Sequence, residues 1–263
     1  MSAEAELHRF WIDLHLHTVL SPCADPEMGA PEIVARCRDG GIDLIAVTDH
    51  NHTGNFAALR DAAQHGSPDP DSVALPGPVV LPGMEVQSME DIHVVVIFED
   101  EAGARTFQDW LWRRMPPIRN REDVFGFQLV IDQDNNVLDQ EPILLVQGAQ
   151  YPLDEIAARG MEAGAIVIPA HLDRPSFSCE AVLGQLPENF PCSAVEISPR
   201  ASHAELEGWK KRYPGRTLVR SSDAHRLEEI SRSRCTPMLL AELSFEEVKL
   251  ALSGTRGRRV LLP

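Results

Sequence analysis

Residues that can bind a metal ion follow short apolar stretches of this sequence. The first case is the segment DLHLHT at residues 13–18, which comes directly after the apolar residues 10–12. Two histidines at i, i+2 on an extended chain point to the same side, so His15 and His17 could reach one ion. The hexapeptide alone fits an ordinary loop equally well, and the rest of the chain has to decide between the two interpretations.

The same arrangement recurs. Three further apolar runs each lead into a possible ligand within a few residues: His50 after residues 42–47, His171 after residues 165–169, and Asp223 with His225 after residues 217–219. Histidine is not favoured at strand ends, so chance is a poor explanation of this pattern. Strands that deliver ligands at one edge are how α/β barrels and doubly wound sheets build their sites.

Two more candidates occur within or beside apolar runs. Glu85 lies in the run that spans residues 79–86, where a carboxylate needs a partner. His93 comes before the apolar residues 94–98. It would therefore lie at the beginning of its strand, so either this strand is antiparallel to the others or its predicted boundaries are displaced.

Imidazole and carboxylate together suit Zn, Mn or Fe better than Mg or Ca alone. The alternative is a barrel whose core histidines are satisfied by hydrogen bonds, and the number of candidates argues against it. The four other histidines named from the sequence as surface residues are His8, His52, His65 and His203, with His52 close enough to the site to remain a candidate.

The elements that must position these residues are seven candidate strands interleaved with helices, which indicate an α/β fold. Residues 122–150 have a different character, because two apolar stretches, 125–131 and 143–146, flank the turn-forming residues 132–136. We interpret this segment as a β-hairpin inserted over the barrel, too short for a core of its own. The whole chain, residues 1–263, is then one domain.

Composition narrows the possible partners. The formal net charge of −16 argues against a protein that binds extended nucleic acid over its surface, since phosphates require Lys and Arg, but it allows a small phosphorylated substrate. Five scattered cysteines without a C-x-x-C pair indicate reduced thiols. The first nine residues lack an apolar leader, and no run is long enough to cross a membrane, so we expect a cytoplasmic protein.

Five motifs in order resemble those of the PHP (polymerase and histidinol phosphatase) family: DLHLHT at 13–18, VTDHN at 47–51, PGMEV at 82–86, AH at 170–171 and SDAH at 222–225. The resemblance implies a distorted seven-stranded (β/α) barrel with two or three divalent transition-metal ions. It also implies a ligand set: His15, His17, Glu85 and Asp223 for one ion; Glu85, His93 and His171 for a second; His50 and His225 for a third.

One position departs from the family pattern. Many relatives have Ser-Asp-Gly after the double-histidine motif, whereas here Ser21 is followed by Pro22. Asp25 is the nearest carboxylate and is our predicted ligand for the third ion. Cys23 is the alternative, and its thiolate would favour zinc.

The family resemblance predicts a metal-dependent phosphoesterase acting on a small phosphorylated substrate. Metal ions lower the pKa of bound water and neutralise phosphate charge. Glu85 and Asp223 would serve this chemistry as ligands, and Arg174 would clamp the phosphate. Arg200 is a second candidate clamp, and for each of these arginines a surface salt bridge is the alternative interpretation. Two alternatives stay open: a metal-dependent hydrolase of amides or lactams, and a metal-stabilised scaffold without catalysis.

Overall fold

A curled sheet of seven strands forms the centre of the molecule. The structure is a computed structural model that describes residues 6–64 and 77–262, and the predicted surface residue His65 lies outside these ranges. Across the sheet the strands are β11 (Arg259–Val260), β10 (Thr236–Leu240), β1 (His8–Leu16), β2 (Leu44–Val47), β3 (Val79–Gln87), β4 (His93–Ile97) and β7 (Ile166–Pro169).

Strand direction explains the position of His93. Strands β1, β2 and β3 are parallel, whereas β4 is antiparallel to both β3 and β7. Within the β3–β4 pair, Gln87 at the end of β3 lies opposite His93 at the start of β4. The beginning of β4 therefore lies at the same edge as the ends of its neighbours, which confirms the antiparallel alternative.

Two short strands fill the gap between the two edges of the curled sheet, next to β7 and β1. Strands β8 (Val195–Glu196) and β9 (Leu218–Val219) pair in parallel. The backbone N–H of Leu172, just after β7, donates to the carbonyl of Glu196 at 2.8 Å. On the other side, the N–H of His17 donates to the carbonyl of Ala224 at 3.1 Å. The pair thus joins β7 to β1, and the predicted barrel-like α/β fold is confirmed.

The seven predicted strands correspond to β1, β2, β3, β4, β7, β8 and β9. Strands β10 and β11 were not predicted; Pro237 lies at the second position of β10, and proline within a run generally argues against a strand. Proline is tolerated here: Pro237 lies opposite Trp11, and its carbonyl still accepts the N–H of Leu261 at 2.8 Å.

Eight helices accompany the strands within the described residues: α1 (Ala30–Gly40), α2 (Phe56–Gln64), α3 (Glu101–Trp112), α4 (Glu122–Phe125), α5 (Leu153–Glu162), α6 (Cys179–Leu183), α7 (His203–Arg212) and α8 (Phe245–Leu252). Pro31 lies in the first turn of α1, and Ser244 is the N-cap of α8, where its side chain accepts the N–H of Glu247. None of the helices in residues 6–64 and 77–262 is long and apolar enough to cross a membrane.

Apolar side chains fill both faces of the sheet. Met84, Val86 and Phe107 belong to the layer between the sheet and helices α3 and α5, whereas Val95 and Ile97 belong to the barrel interior. Alternate residues of one strand therefore face opposite sides, as the pleat requires.

The inserted segment contains a hairpin, but its second strand differs from the prediction. Strand β5 (Leu129–Ile131) pairs with β6 (Val137–Gln140), not with residues 143–146. The chain reverses earlier because the Asp132 carboxylate accepts the N–H groups of Asp134 and Asn136, which closes a tight turn.

The hairpin is fastened to the edge where the candidate ligands lie. The N–H of Leu129 donates to the carbonyl of Val19 at 3.0 Å, and the Asn55 amide donates to the carbonyl of Leu129 at 3.0 Å. Further along, the Asn51 amide donates to the carbonyl of Leu145 at 2.8 Å. The insertion is therefore held against the loops that follow β1 and β2.

Candidate metal centre

Nearly all the predicted ligands meet in one buried cluster. Three sets of side chains each bring their ligand atoms within 4.8 Å of one another: His15, His17, Glu85 and Asp223; His50, Glu85 and His93; His17, His50 and His225. All of these residues are buried except His225, which is partly exposed. The sets share members, so they form one continuous polynuclear arrangement. We call these residues, together with His171, the metal cluster.

The first set has the geometry that a cation would complete. The Nε2 atoms of His15 and His17 face each other at 3.2 Å. Glu85 Oε1 lies 3.2 Å from the first of these nitrogens, and Asp223 Oδ1 lies 3.1 Å from the second. Ring nitrogens and carboxylate oxygens thus converge on one point, and a mixture of imidazole and carboxylate is a donor set that suits a transition-metal ion.

Glu85 connects the sets. Its Oε1 lies 2.8 Å from Nδ1 of His93 and 3.2 Å from Nε2 of His171, while its Oε2 lies 3.1 Å from Nδ1 of His50. With His15 on the other side, one carboxylate contacts histidines from four strands or the loops that follow them. This is the position that a carboxylate bridging two ions would take.

The backbone at the cluster is unusual. Asn51, His171 and Asp223 have φ of 51°, 31° and 47°, in the left-handed region that residues other than glycine rarely adopt. Such conformations cost energy and persist where the surrounding structure enforces them, commonly at functional sites. Asp223 is held on several sides: its N–H donates to the carbonyl of His15 at 2.9 Å, and its carboxylate contacts His17 and Arg174.

The buried carboxylates and histidines of the cluster shift each other's pKa values. Burial alone would raise the pKa of Glu85, but His93, His15 and His50 hold that pKa well below its usual range. Conversely, burial would lower the pKa of His15, and the carboxylates of Asp223, Glu85 and Glu196 raise it well above its usual range. The carboxylates therefore remain ionised and require positive charge beside them, from either protons or metal ions.

A second layer of hydrogen bonds orients the ligands. Both carboxylate oxygens of Glu196 lie 3.2 Å from Nδ1 of His15, and Oε1 also accepts the N–H of His171 at 3.1 Å. Glu196 is not among the ligands or orienting residues predicted from the sequence. The sequence does contain a signal for such a role. Glu196 lies in an apolar run with Ala194, Val195 and Ile197, just as Glu85 lies among apolar residues.

His17 is oriented in the same way from the other side. Its Nδ1 lies 2.9 Å from the Ser21 hydroxyl, which in turn donates to Asp49 at 2.7 Å. The Asp49 carboxylate also accepts the N–H of Thr18 at 2.7 Å. Partners of this kind fix the tautomer and ring orientation of a histidine ligand.

The two candidate ligands in the loop after β1, Asp25 and Cys23, have different surroundings. The Asp25 carboxylate is half exposed, lies 3.5 Å from Nε of Arg226, and is in none of the three ligand sets found among the described residues. Cys23 is exposed. Although burial alone would lower the pKa of His50, Cys23 and Glu85 raise it. Neither Cys23 nor Asp25 belongs to the ligand sets found among the described residues, and Asp25 lies beside Arg226.

The two candidate clamp residues line one cleft beside the cluster. Arg174 Nη2 lies 2.5 Å from Asp223 Oδ2, on the opposite side of that carboxylate from His17. Arg200 is exposed at the same cleft. Of the remaining histidines, His52 is mostly buried against Trp112, and burial lowers its pKa to about 4, but it joins none of the ligand sets. His8 and His203 are exposed, as predicted.

No protein-family model matches this chain, and no curated protein matches its sequence. Solved structures do match. Endonuclease Q from Pyrococcus furiosus, a lesion-specific endonuclease, is 18% identical with a TM-score of 0.65, over 97% of this chain and 58% of that chain. A second structure of endonuclease Q holds a 27-mer duplex with an abasic lesion at the active site. This chain thus spans about 58% of the length of endonuclease Q.

Two further neighbours have other assigned activities. A two-domain protein from Bacteroides vulgatus containing a predicted PHP-like metal-dependent phosphoesterase is 16% identical with a TM-score of 0.56, over 97% of this chain and 65% of that chain. An amidohydrolase from Chromobacterium violaceum is 18% identical with a TM-score of 0.53, over 82% and 87%. This similarity is one of fold, and the chain has the PHP-type fold that its motifs predict.

Proposed function

We propose that this chain is a metal-dependent hydrolase that cleaves phosphate esters. The observation that carries the proposal is Glu85, a buried carboxylate in contact with His15, His50, His93 and His171. Such a centre suits two or three ions of Mn, Zn or Fe. His15, His17, Glu85 and Asp223 would hold one ion, and Glu85, His93 and His171 a second. His50 and His225 would hold a third, with a ligand from the loop after β1.

When bound, such ions supply an activated water at neutral pH and neutralise phosphate charge. The residues of the chain itself would position the phosphate ester. Asp223 divides its two oxygens between His17 and Arg174, so it fixes the arginine beside the metal cluster. A guanidinium held there can bind phosphate oxygens in a bidentate manner. Arg174 would therefore orient the ester while the buried cluster excludes bulk water.

Arg174 also favours phosphate esters over amides. A planar cation next to the cluster matches two oxygens of a phosphate, whereas a neutral amide has one carbonyl oxygen and no charge. The fold is shared with an amidohydrolase, so amide hydrolysis remains the second candidate. The scaffold alternative is weaker, because a site that had lost catalysis would be expected to lose ligands, whereas this cluster keeps a full set of histidines and carboxylates.

The expectation that extended nucleic acid is not a partner is in tension with one neighbour, because endonuclease Q acts on DNA. The net charge of −16 points the other way for this chain. We retain a small phosphate ester as the proposed substrate and include DNA among the compounds to be tested.

The test is a substrate panel with protein loaded with Mn or Zn. It contains nucleotides, sugar phosphates, histidinol phosphate, acyl amides, lactams and a duplex with an abasic site. Release of phosphate or cleavage of a phosphodiester by wild type, and loss of that activity in Glu85→Gln, would support the proposal. Hydrolysis of amides alone would replace it, and the absence of any turnover would favour the scaffold.

A further inference from the structure

The histidines of the metal cluster are not all oriented in the same way. Nδ1 of His15 contacts Glu196, and Nδ1 of His17 contacts the Ser21 hydroxyl, while the Nε2 atoms of both rings face the cluster. His93 differs. It faces Glu85 with Nδ1, and no residue in the ranges 6–64 and 77–262 forms a hydrogen bond with its Nε2. The orientation of this imidazole therefore depends on packing.

Phe177, in the loop between β7 and α6, supplies that packing. Its ring stacks on the imidazole of His93, with the ring centres 4.7 Å apart and the two planes inclined by 20°. The backbone makes a second contact, since the N–H of His93 donates to the carbonyl of Phe177 at 2.9 Å. One residue of a distant loop thus holds both the ring and the main chain of His93.

The backbone of Phe177 is in an unfavourable conformation. Its φ is 56°, in the left-handed region that bulky residues rarely adopt. Burial does not compensate for this strain, because Phe177 is 42% exposed. Strain of this kind persists where the surrounding structure enforces it, commonly at functional sites. The stability of the fold is therefore a poor explanation for an aromatic residue at this position.

The loop that carries Phe177 is closed by its own hydrogen bonds. The N–H of Arg174 donates to the carbonyl of His171 at 2.9 Å, and the buried Ser178 hydroxyl donates to the carbonyl of Arg174 at 2.7 Å. Ser178 is also the N-cap of helix α6. The loop therefore joins one predicted ligand, His171, to the residue that packs on another, His93.

We propose that Phe177 is a positioning residue for the second metal ion. Its ring holds the imidazole of His93 in the plane that directs Nδ1 towards the ion shared with Glu85 and His171. This inference rests on the proposed function, in which these three residues bind that ion. The imidazole cannot rotate without losing the stacked contact, so the stack restricts His93 as hydrogen bonds restrict His15. The strained backbone is then the conformation that places the ring over His93.

The test separates metal affinity from stability and requires no turnover. Phe177→Gly removes the ring and relieves the left-handed strain, so the metal-free variant should unfold at the wild-type melting temperature or above it. Phe177→Leu retains apolar bulk without a flat ring, and Phe177→Tyr retains the ring. Chelator competition combined with elemental analysis measures the affinity for each equivalent of Mn or Zn.

The expected result is a selective loss. Phe177→Gly and Phe177→Leu should each weaken the binding of one equivalent of metal by about 2- to 10-fold, the range expected from loss of an aromatic pair. The other equivalents should stay within about twofold of wild type. Phe177→Tyr should retain the wild-type affinity. Phe127→Leu, at an exposed phenylalanine of the inserted segment, is the matched control and should bind metal as wild type does.

Two results would overturn the assignment. One is wild-type metal affinity in both Phe177→Gly and Phe177→Leu. The other is a melting temperature of metal-free Phe177→Gly that falls together with its metal affinity, because Phe177 would then serve the fold and not the ligand.

Failure of the proposed function is distinguishable from failure of this inference. A protein whose metal affinity depends on Phe177 but which hydrolyses no phosphate ester would retain the positioning role and lose the proposed activity. A phosphatase whose metal affinity is independent of Phe177 would retain the activity and lose the positioning role.

Discussion

Strand β3 passes through two regions that are built on opposite principles. Met84 and Val86 are fully buried in the apolar layer under helix α3, where Phe107 packs. Glu85 lies between them on the other face and meets five histidines. The apolar layer is satisfied by its own contacts, whereas the metal cluster gathers lone pairs and ionised carboxylates that need an added cation. Mutations on the two faces of β3 should therefore affect different properties: those in the apolar layer should lower the free energy of unfolding, and those in the metal cluster should lower metal binding.

The largest effect should come from Glu85→Gln. The amide retains the shape but loses the charge that would bridge two ions, so we expect activity to fall on the order of 10³-fold and metal content to drop. Arg174→Ala should retain its metals and change mainly KM or kcat. Metal analysis and steady-state kinetics measure both, with the exposed Glu99→Gln as control. Equal loss of metal in the Glu85 and Arg174 variants would contradict these roles.

The counterpart in the apolar layer is Phe107→Ala. Phe107 is 1% exposed, and its removal would leave a cavity, so we expect a loss of roughly 3–5 kcal/mol in the free energy of unfolding. Denaturant titration measures this loss, and Phe107→Leu should cost less. Metal bound per folded molecule should stay at the wild-type value. If metal is lost in proportion to stability, the two regions are not independent.

A smaller effect is expected from the orienting carboxylate. Glu196→Gln keeps one oxygen near Nδ1 of His15 but removes the negative charge, and changes in such partners typically cost about 10- to 100-fold in metal affinity or activity. Competition with a metal chelator measures the affinity, and the exposed Glu188→Gln serves as control. An unchanged affinity would mean that Glu196 has only a structural role.

The smallest expected effect is the loss of the third-site metal ion alone. Asp25 was predicted from the sequence as the third-site ligand and remains a prediction, although its carboxylate lies beside Arg226, and the Cys23 thiol helps to raise the pKa of His50. The comparison of Asp25→Ala with Cys23→Ala should show which variant loses one equivalent of metal. In Co-substituted protein, a thiolate ligand would also give a charge-transfer absorption band that Cys23→Ala removes. Loss of metal in neither variant would leave the loop without a ligand.

The sequence predicted most of the metal cluster because strand ends share one edge of the sheet and apolar runs mark strands well. It left the direction of β4 open, because periodicity does not encode whether a strand is parallel. It gave no role to Glu196, whose contact with His15 spans 181 positions. The orientation of Asp25 could not be predicted either, since it depends on the distant Arg226.

The central claim is that the cluster around Glu85 holds transition-metal ions. The most direct measurement is elemental analysis of protein purified without chelator, combined with thermal unfolding before and after addition of Mn or Zn. Ions that bind only the native state raise its melting temperature. We predict at least two equivalents of transition metal per chain in loaded protein, and a lower melting temperature after chelation. Protein that contains no transition metal and whose melting temperature does not respond to added Mn or Zn would contradict the claim.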